Sequence, residues 1–217
     1  MNASLKITKL SDGEAEEAGQ TLARAFHDDP PFVHFVPEAA QRVRVLSSFF
    51  SRFARYGMVS GEVQGTADRR GIAIWLSQEH ASSKLATLAG LDQLSVIFGD
   101  VGFARLSAFL TFMEKLHHDS MAATHWYLAF IGVDPTHQGK GVGTALLKPM
   151  LDRAEAEALP CYLETFLARN VPFYRKNGFN LLSEGVEPSS KCQFWTFARD
   201  PKSGGLGETS FRRPQSG

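Results

Sequence analysis

The chain has 217 residues, 43% of them hydrophobic and 11% aromatic, enough for one sizeable core and too short for two domains of equal standing. Its 23 basic and 23 acidic residues cancel, so no overall field draws it to nucleic acid or to an anionic membrane, and a charged ligand must be held by a local site. Residues Met1 to Gln20 carry four acidic side chains and no apolar block, no run is read as long enough to span a membrane, and Cys161 and Cys192 lack metal spacing, which together suggest a cytoplasmic chain with reduced, buried thiols.

Leu5 to Leu10 alternates apolar and polar side chains as a strand does, and Ser11 with Glu14 makes a capping box for a helix reaching Phe26. The cluster Asp28-Asp29-Pro30-Pro31 breaks the chain and is read as the start of a loop extending to Phe35. A second helix is expected from about Ala40 to Tyr56, with Val43, Leu46, Phe49, Phe50 and Phe53 inward and Arg42, Arg44, Arg52 and Arg55 on its wet side. Strands at about Met58 to Gln64 and Gly71 to Leu76 read as a hairpin around the polar turn Thr66 to Arg69. From Ser82 to His118 the apolar spacing is helical, broken at Gly99-Asp100 into two helices that form an insert between strands. The strand His125 to Val133, a glycine-rich turn, a helix to about Ala158 kinked at Pro149, the strand Cys161 to Phe166, a short helix from Asn170 to Lys176 and two last strands complete the order. Residues 1–200 are read as one domain and 201–217 as a flexible tail.

The most informative stretch runs from Gly132 to Thr144. Gly139, Gly141 and Gly143 recur at every second position between an apolar strand and a helix. Residues without a Cβ let the backbone approach a ligand and aim successive N–H groups at it, and the helix dipole adds attraction for phosphate. A P-loop needs its lysine after the glycines, whereas Lys140 lies between them; a dinucleotide fingerprint needs glycine or alanine where Thr144 stands. Neither pattern fits.

The run Val133-Asp134-Pro135 followed by Gln138-Gly139-Lys140-Gly141-Val142-Gly143 resembles the acyl-CoA-binding signature of the GNAT superfamily of N-acetyltransferases. Asn170-Val171-Pro172-Phe173-Tyr174 with Gly178-Phe179 resembles the same family's downstream segment, and the likeness is clearest from His125 to Phe179. It implies an α/β fold: a mixed, mostly antiparallel sheet with a splayed central parallel strand pair and helices on both faces. Where strands part, backbone groups lose their ladder partners and need others. The resemblance fills that need with acetyl-CoA as co-substrate, its pantetheine arm against the backbone of Ile131 and Val133. The pyrophosphate would sit on the N–H groups of Gln138, Gly139, Lys140, Gly141, Val142, Gly143 and Thr144, helped by the Gln138 and Lys140 side chains, with a further contact from Asn170.

The resemblance also implies that Tyr174 stands beside the sulfur as a proton donor. A phenol near 10 protonating a thiolate near 8.5 is uphill by roughly 2 kcal/mol, so without a pKa shift its hydroxyl can only hydrogen-bond the developing charge. The attacking amine has the opposite difficulty, since neutralising a lysine-like ammonium at neutral pH costs about 4 to 5 kcal/mol. Glu164, sharing a strand face with Tyr162 and Phe166, is the candidate base. Trp75, Trp126, Tyr127, Phe32 and Phe35 could line an acceptor pocket, but aromatic residues in strands and loops are usually core and they are assigned no role; His117 and His118 are read as helix-end residues favoured by the dipole, with no metal site. The expected function is transfer of an acetyl group from acetyl-CoA to a primary amine, on a small molecule or a peptide, by direct attack in a ternary complex. The helical insert and the Asp28 to Phe35 segment would cover the acceptor; a non-catalytic acyl-CoA-binding sensor is the alternative. A monomer or homodimer, without nucleic-acid or membrane partners, is expected.

Overall fold

A computed structural model describes residues 5–77 and 90–202. In chain order the elements are β1 (Ile7–Lys9), α1 (Ala15–Ala25), α2 (Pro30–Phe35), α3 (Ala39–Ser60), β2 (Gly61–Thr66), β3 (Gly71–Ser77), α4 (Leu94–Ser120), β4 (Trp126–Val133), α5 (Val142–Ala156), β5 (Cys161–Thr165), α6 (Val171–Lys176), β6 (Asn180–Val186) and β7 (Gln193–Arg199). Seven strands make one sheet in the order β1-β2-β3-β4-β5-β7-β6, antiparallel throughout except for the β4–β5 pair.

Alternation along β3 shows how the core divides. Ile72 and Ile74 turn to one face with Leu22 of α1, Phe50 of α3 and Phe109 of α4; Ala73 and Trp75 turn to the other with Leu146, Leu147 and Met150 of α5. A strand buried on both sides therefore lies between two helical layers, as the resemblance implies.

The site is set by what happens in the middle of the sheet. β4 and β5 pair only at Trp126–Cys161 and Tyr127–Tyr162, then part. Against β3, Ile74 faces Phe130 while Trp75 faces Leu128, so Ala129 is an extra residue that bulges β4 at the point of separation.

Several expectations are corrected. The Asp28 to Phe35 segment is not all loop: Asp29 is extended and Pro30 and Pro31 open α2, where a missing N–H costs nothing. Arg42 is buried and Val43 exposed, the reverse of the expectation. The Arg42 guanidinium donates to the carbonyls of Val36, His27 and Pro37 at 2.8, 2.9 and 2.8 Å, capping carbonyls that the turns around α2 leave without helical partners. Met58 belongs to α3 rather than to a strand, because α3 runs on to Ser60.

Gly99 adopts φ 69°, ψ 169°, a non-helical conformation that divides α4 into two helical segments at the expected break. Counted as one, Leu91–Ser120 is long and apolar enough to cross a membrane by length and composition alone, which corrects the reading that no run is. Phe98, Leu106, Phe109 and Met113 are its buried residues, while Val96, Val101 and Phe103 are exposed. Pro149 sits within α5 without ending it, on the exposed side where solvent can take the orphaned carbonyl. Cys161 and Cys192 are free and buried. The expected helix start at Ser82 and the tail beyond residue 202 lie outside the described residues.

Candidate active site

The turn after β4 is shaped for a ligand by its own hydrogen bonds. Asp134 accepts from the Thr136 N–H at 3.1 Å, and bonds from Thr136 and Arg24 hold its carboxyl down at about 2. Gly139 and Gly141 take φ 74° and φ 81°, the left-handed region that suits residues without a Cβ, and a Cβ on either would meet nothing within 4 Å. That space is on the ligand side. The first bond within α5 runs from the Ala145 N–H to the Gly141 carbonyl at 3.1 Å, so the N–H groups of Val142, Gly143 and Thr144 have no acceptor inside the helix. They end at a cavity of about 360 Å³ lined by Ile131, Val133, Gln138, Gly139, Gly141, Val142, Gly143, Thr144, Asn170 and Tyr174.

Strand alternation supplies the other wall. The Asp134 N–H donates to the Arg70 carbonyl at 2.8 Å, and Gly132 stands opposite Ile72, so these are the hydrogen-bonded positions of the ladder. Ile131 and Val133 therefore turn their backbone groups the other way, toward the gap where β5 has departed. An amide-bearing chain laid there would find the donors and acceptors a neighbouring strand normally gives. The two flanking side chains are committed elsewhere: Gln138 Nε2 donates to the Val133 carbonyl at 3.0 Å and Lys140 Nζ to the Thr136 carbonyl at 2.9 Å. Lys140 does not line the cavity. The cationic residues that do are Arg169 and Lys176, with His137.

A second cavity, about 110 Å³, lies beyond the splay. Phe26, Asp29, Ile131, Asn170 and Tyr174 line both cavities, so the two meet at Tyr174. Tyr174 is 5% exposed and packs against Phe173 and Phe197 at 5.1 and 5.6 Å between ring centres. Burial, then the Asp29 and Glu164 carboxylates, raise its pKa, so it keeps its proton. Asn170 donates to Thr165 Oγ1 at 3.0 Å.

Glu164 lines the second cavity with a side chain 5% exposed. Burial raises its pKa to about 7, against the nearby hydroxyls of Tyr127 and Tyr162. The Tyr162 hydroxyl, buried and short of hydrogen-bond geometry with any described residue, acts on the carboxylate as a nearby dipole rather than as a full bond. Behind it, His117 stacks on Tyr162 at 4.5 Å and its Nε2 lies 2.7 Å from His125 Nε2. His125 Nδ1 sits 2.7 Å from the Ala123 carbonyl, which can only accept, so that nitrogen carries the proton. Burial lowers both histidines, His117 to about 4, so both are neutral at pH 7. It follows that His117 donates through Nε2 and presents a bare Nδ1 toward Glu164 Oε1, 4.0 Å away. This corrects the helix-dipole account of His117, which needs a charged ring.

Sequence reading put Asp29 only in the segment expected to cover the acceptor and gave it no role of its own. It is 9% exposed, and burial raises its carboxyl to about 7 against the opposing charge of Arg169. Among the described residues no hydrogen bond satisfies that carboxylate. Phe32 and Phe35, assigned no role from the sequence, line the second cavity together with Leu106, Phe109 and Leu110 of α4. No local signal marks these residues, because α2, α4 and β5 come together only in the folded chain.

Residues 96–179 match the profile of the acetyltransferase (GNAT) family. The chain is 27% identical over 172 residues to an uncharacterized N-acetyltransferase of Schizosaccharomyces pombe, covering 76% of this chain and 70% of that one. Among solved structures, it is similar to a histone acetyltransferase HPA2 and related acetyltransferase from Corynebacterium glutamicum, with a TM-score of 0.67 at 20% identity over 94% of this chain and 100% of that one. It is also similar in fold to a polyamine N-acetyltransferase of Drosophila melanogaster, with a TM-score of 0.58 at 13% identity over 90% and 99% of the two chains. The profile over residues 96–179, the yeast relative and a seven-stranded sheet splayed between β4 and β5 agree: the chain is an acyltransferase similar to the GNAT acetyltransferases.

Proposed function

We propose that the protein transfers the acetyl group of acetyl-CoA to a primary amine by direct attack, the donor lying in the larger cavity, the acceptor in the smaller, and the two meeting at Tyr174. The observation that carries this reading is that meeting point: a phenol shared by a backbone-lined anion cavity and a cavity holding buried carboxylates. The residues present fit acetyl-CoA. Left-handed Gly139 and Gly141 leave room where a phosphate must approach, the first N–H groups of α5 have no internal acceptor, and Ile131 and Val133 face the splay. Support for such a ligand also comes from a related fold, the PaiA N-acetyltransferase of Thermoplasma acidophilum, which is described in complex with coenzyme A.

Bound acetyl-CoA supplies the activated carbonyl and a thiolate leaving group. Glu164 takes one proton from the ammonium. Removing it with an ordinary carboxylate costs about 8 kcal/mol and with one near 7 about 5 kcal/mol, so burial of Glu164 narrows the gap by roughly 3 kcal/mol. As the N–C bond forms and the C–S bond breaks, the nitrogen sheds a second proton and the sulfur gains one. Tyr174, held protonated, donates a hydrogen bond to the sulfur; with its pKa raised, outright release of its proton is costlier than the 2 kcal/mol of an unperturbed phenol.

Incubation of the purified protein with acetyl-CoA and a broad set of amines, with free thiol followed as the readout, tests the reading. Amine-dependent thiol release with a mass gain of one acetyl group on the amine is expected. Tight acetyl-CoA binding without transfer to any amine would instead assign the chain as an acyl-CoA sensor.

A further inference from the structure

We infer that the acceptor is a small arylalkylamine, or an alkylamine of like bulk, whose single apolar body fills the phenylalanine-lined cavity while its ammonium meets Asp29 at the junction with the donor cavity. The inference rests on the amine-acetylation reading above and names the substrate class of that same site.

Three observations carry it. The first is the wall: Phe32, Phe35, Phe49, Phe109, Phe130 and Phe166 all line the cavity. They pack on one another, Phe35 on Phe109 at 5.2 Å and Phe109 on Phe166 at 5.2 Å, so the apolar surface is continuous. The second is size. At about 110 Å³ the cavity is comparable to the roughly 150 Å³ dry apolar cavity that takes one benzene molecule. A peptide would bring backbone amides into that space, whose lining is predominantly apolar.

The third is where charge is found. The cavity's carboxylates are Asp29 and Glu164, and the Tyr174 hydroxyl feels both, which places them at the reacting end. Asp29 is nine-tenths buried, its side chain has no hydrogen bond among the described residues, and the charge of Arg169 offsets its burial only in part, so an ammonium would supply the direct partner it lacks. A second ammonium farther along the substrate would lie among phenylalanine rings with no carboxylate to pair it, which disfavours diamines and polyamines. Asp29 is thus a specificity-determining residue that recognises the ammonium, leaving Glu164 to deprotonate it.

Steady-state thiol release with phenethylamine, benzylamine, butylamine, putrescine, spermidine and a lysine-containing peptide tests the class. The single-ring amines should exceed spermidine and the peptide in kcat/KM by at least about tenfold. Equal or greater efficiency with spermidine or the peptide overturns this inference and leaves amine acetylation standing. Absence of transfer to every amine, with acetyl-CoA binding intact, brings down both. Asp29→Asn should raise KM for phenethylamine about tenfold while the acetyl-CoA Kd stays within about twofold. Loss of acetyl-CoA affinity instead, with the amine KM unchanged, removes Asp29 from ammonium recognition.

Discussion

The two cavities that meet at Tyr174 are built from different material. The larger takes its backbone donors from one contiguous stretch, the N–H groups at the start of α5, two left-handed glycines and the edge of β4 between Ile131 and Thr144, with Arg169, Asn170 and Tyr174 among the side chains that complete its wall. The smaller is almost wholly side chain, drawn from α2, α3, α4, β4, β5 and α6. A site built on backbone is insensitive to most side-chain exchange. A side-chain site can be re-cut by single substitutions, so the proposed reading puts substrate choice there. Substitutions on either side should therefore separate cleanly, and four of them probe that separation.

The largest effect is expected from Glu164→Gln, which should lower kcat/KM about 10²- to 10⁴-fold and leave acetyl-CoA affinity unchanged. The sign of the pH dependence follows from the same group. A base works deprotonated, and burial holds both Glu164 and the ammonium-pairing Asp29 near 7, so wild-type kcat/KM should fall by up to about a hundredfold per pH unit well below 7 and the substitution should reduce that slope to about tenfold. Profiles of kcat/KM between pH 5 and 8 for the two proteins decide it; superimposable limbs would remove Glu164 from proton transfer.

Gly141→Val acts on the opposite side. A β-branched residue at φ 81° strains the turn, and its side chain takes the open space in front of the first α5 N–H groups. Acetyl-CoA affinity should drop about 100-fold or more, read by titration calorimetry, in a protein that keeps its circular dichroism spectrum. Intact affinity would contradict a phosphate site on this turn.

These two substitutions also show what could be read along the chain. The strand, turn and helix around Gly141 are contiguous, so spacing pointed to a backbone anion site, and the polar turn Thr66 to Arg69 marked the β2–β3 hairpin. Asp29 shows the opposite. Its neighbours Pro30 and Pro31 dominate local reading and say chain break, whereas its meaning comes from Tyr174, far along the sequence. Arg42 was misread for a related reason: periodicity cannot foresee that nearby carbonyls need an internal donor. Glu164 was legible as a carboxylate on a strand, but the tyrosines and histidines that surround it were not.

At the junction, Tyr174→Phe should reduce kcat about tenfold while the acetyl-CoA Kd and the amine KM change little, because a hydrogen bond to the leaving sulfur is made mainly in the transition state. A matched fall in affinity would mean that the hydroxyl positions the thioester rather than its departure. Unchanged turnover would leave Tyr174 as packing against Phe173 and Phe197.

The smallest effect is the most pointed test of a backbone-built donor site. Lys140 looks like a phosphate lysine in the sequence, yet its Nζ donates to the Thr136 carbonyl and the residue stands outside the cavity lining. An exposed lysine near an anion contributes at most about 1 kcal/mol, so Lys140→Ala should weaken acetyl-CoA binding less than about fivefold. Screening should shrink even that difference, bringing the two proteins together as ionic strength rises to 0.5 M in the assay. If instead Lys140→Ala matched Gly141→Val in its loss of affinity, the pyrophosphate would be held by a side-chain cation. The contrast between a backbone donor site and a side-chain acceptor site would then fail on its donor side.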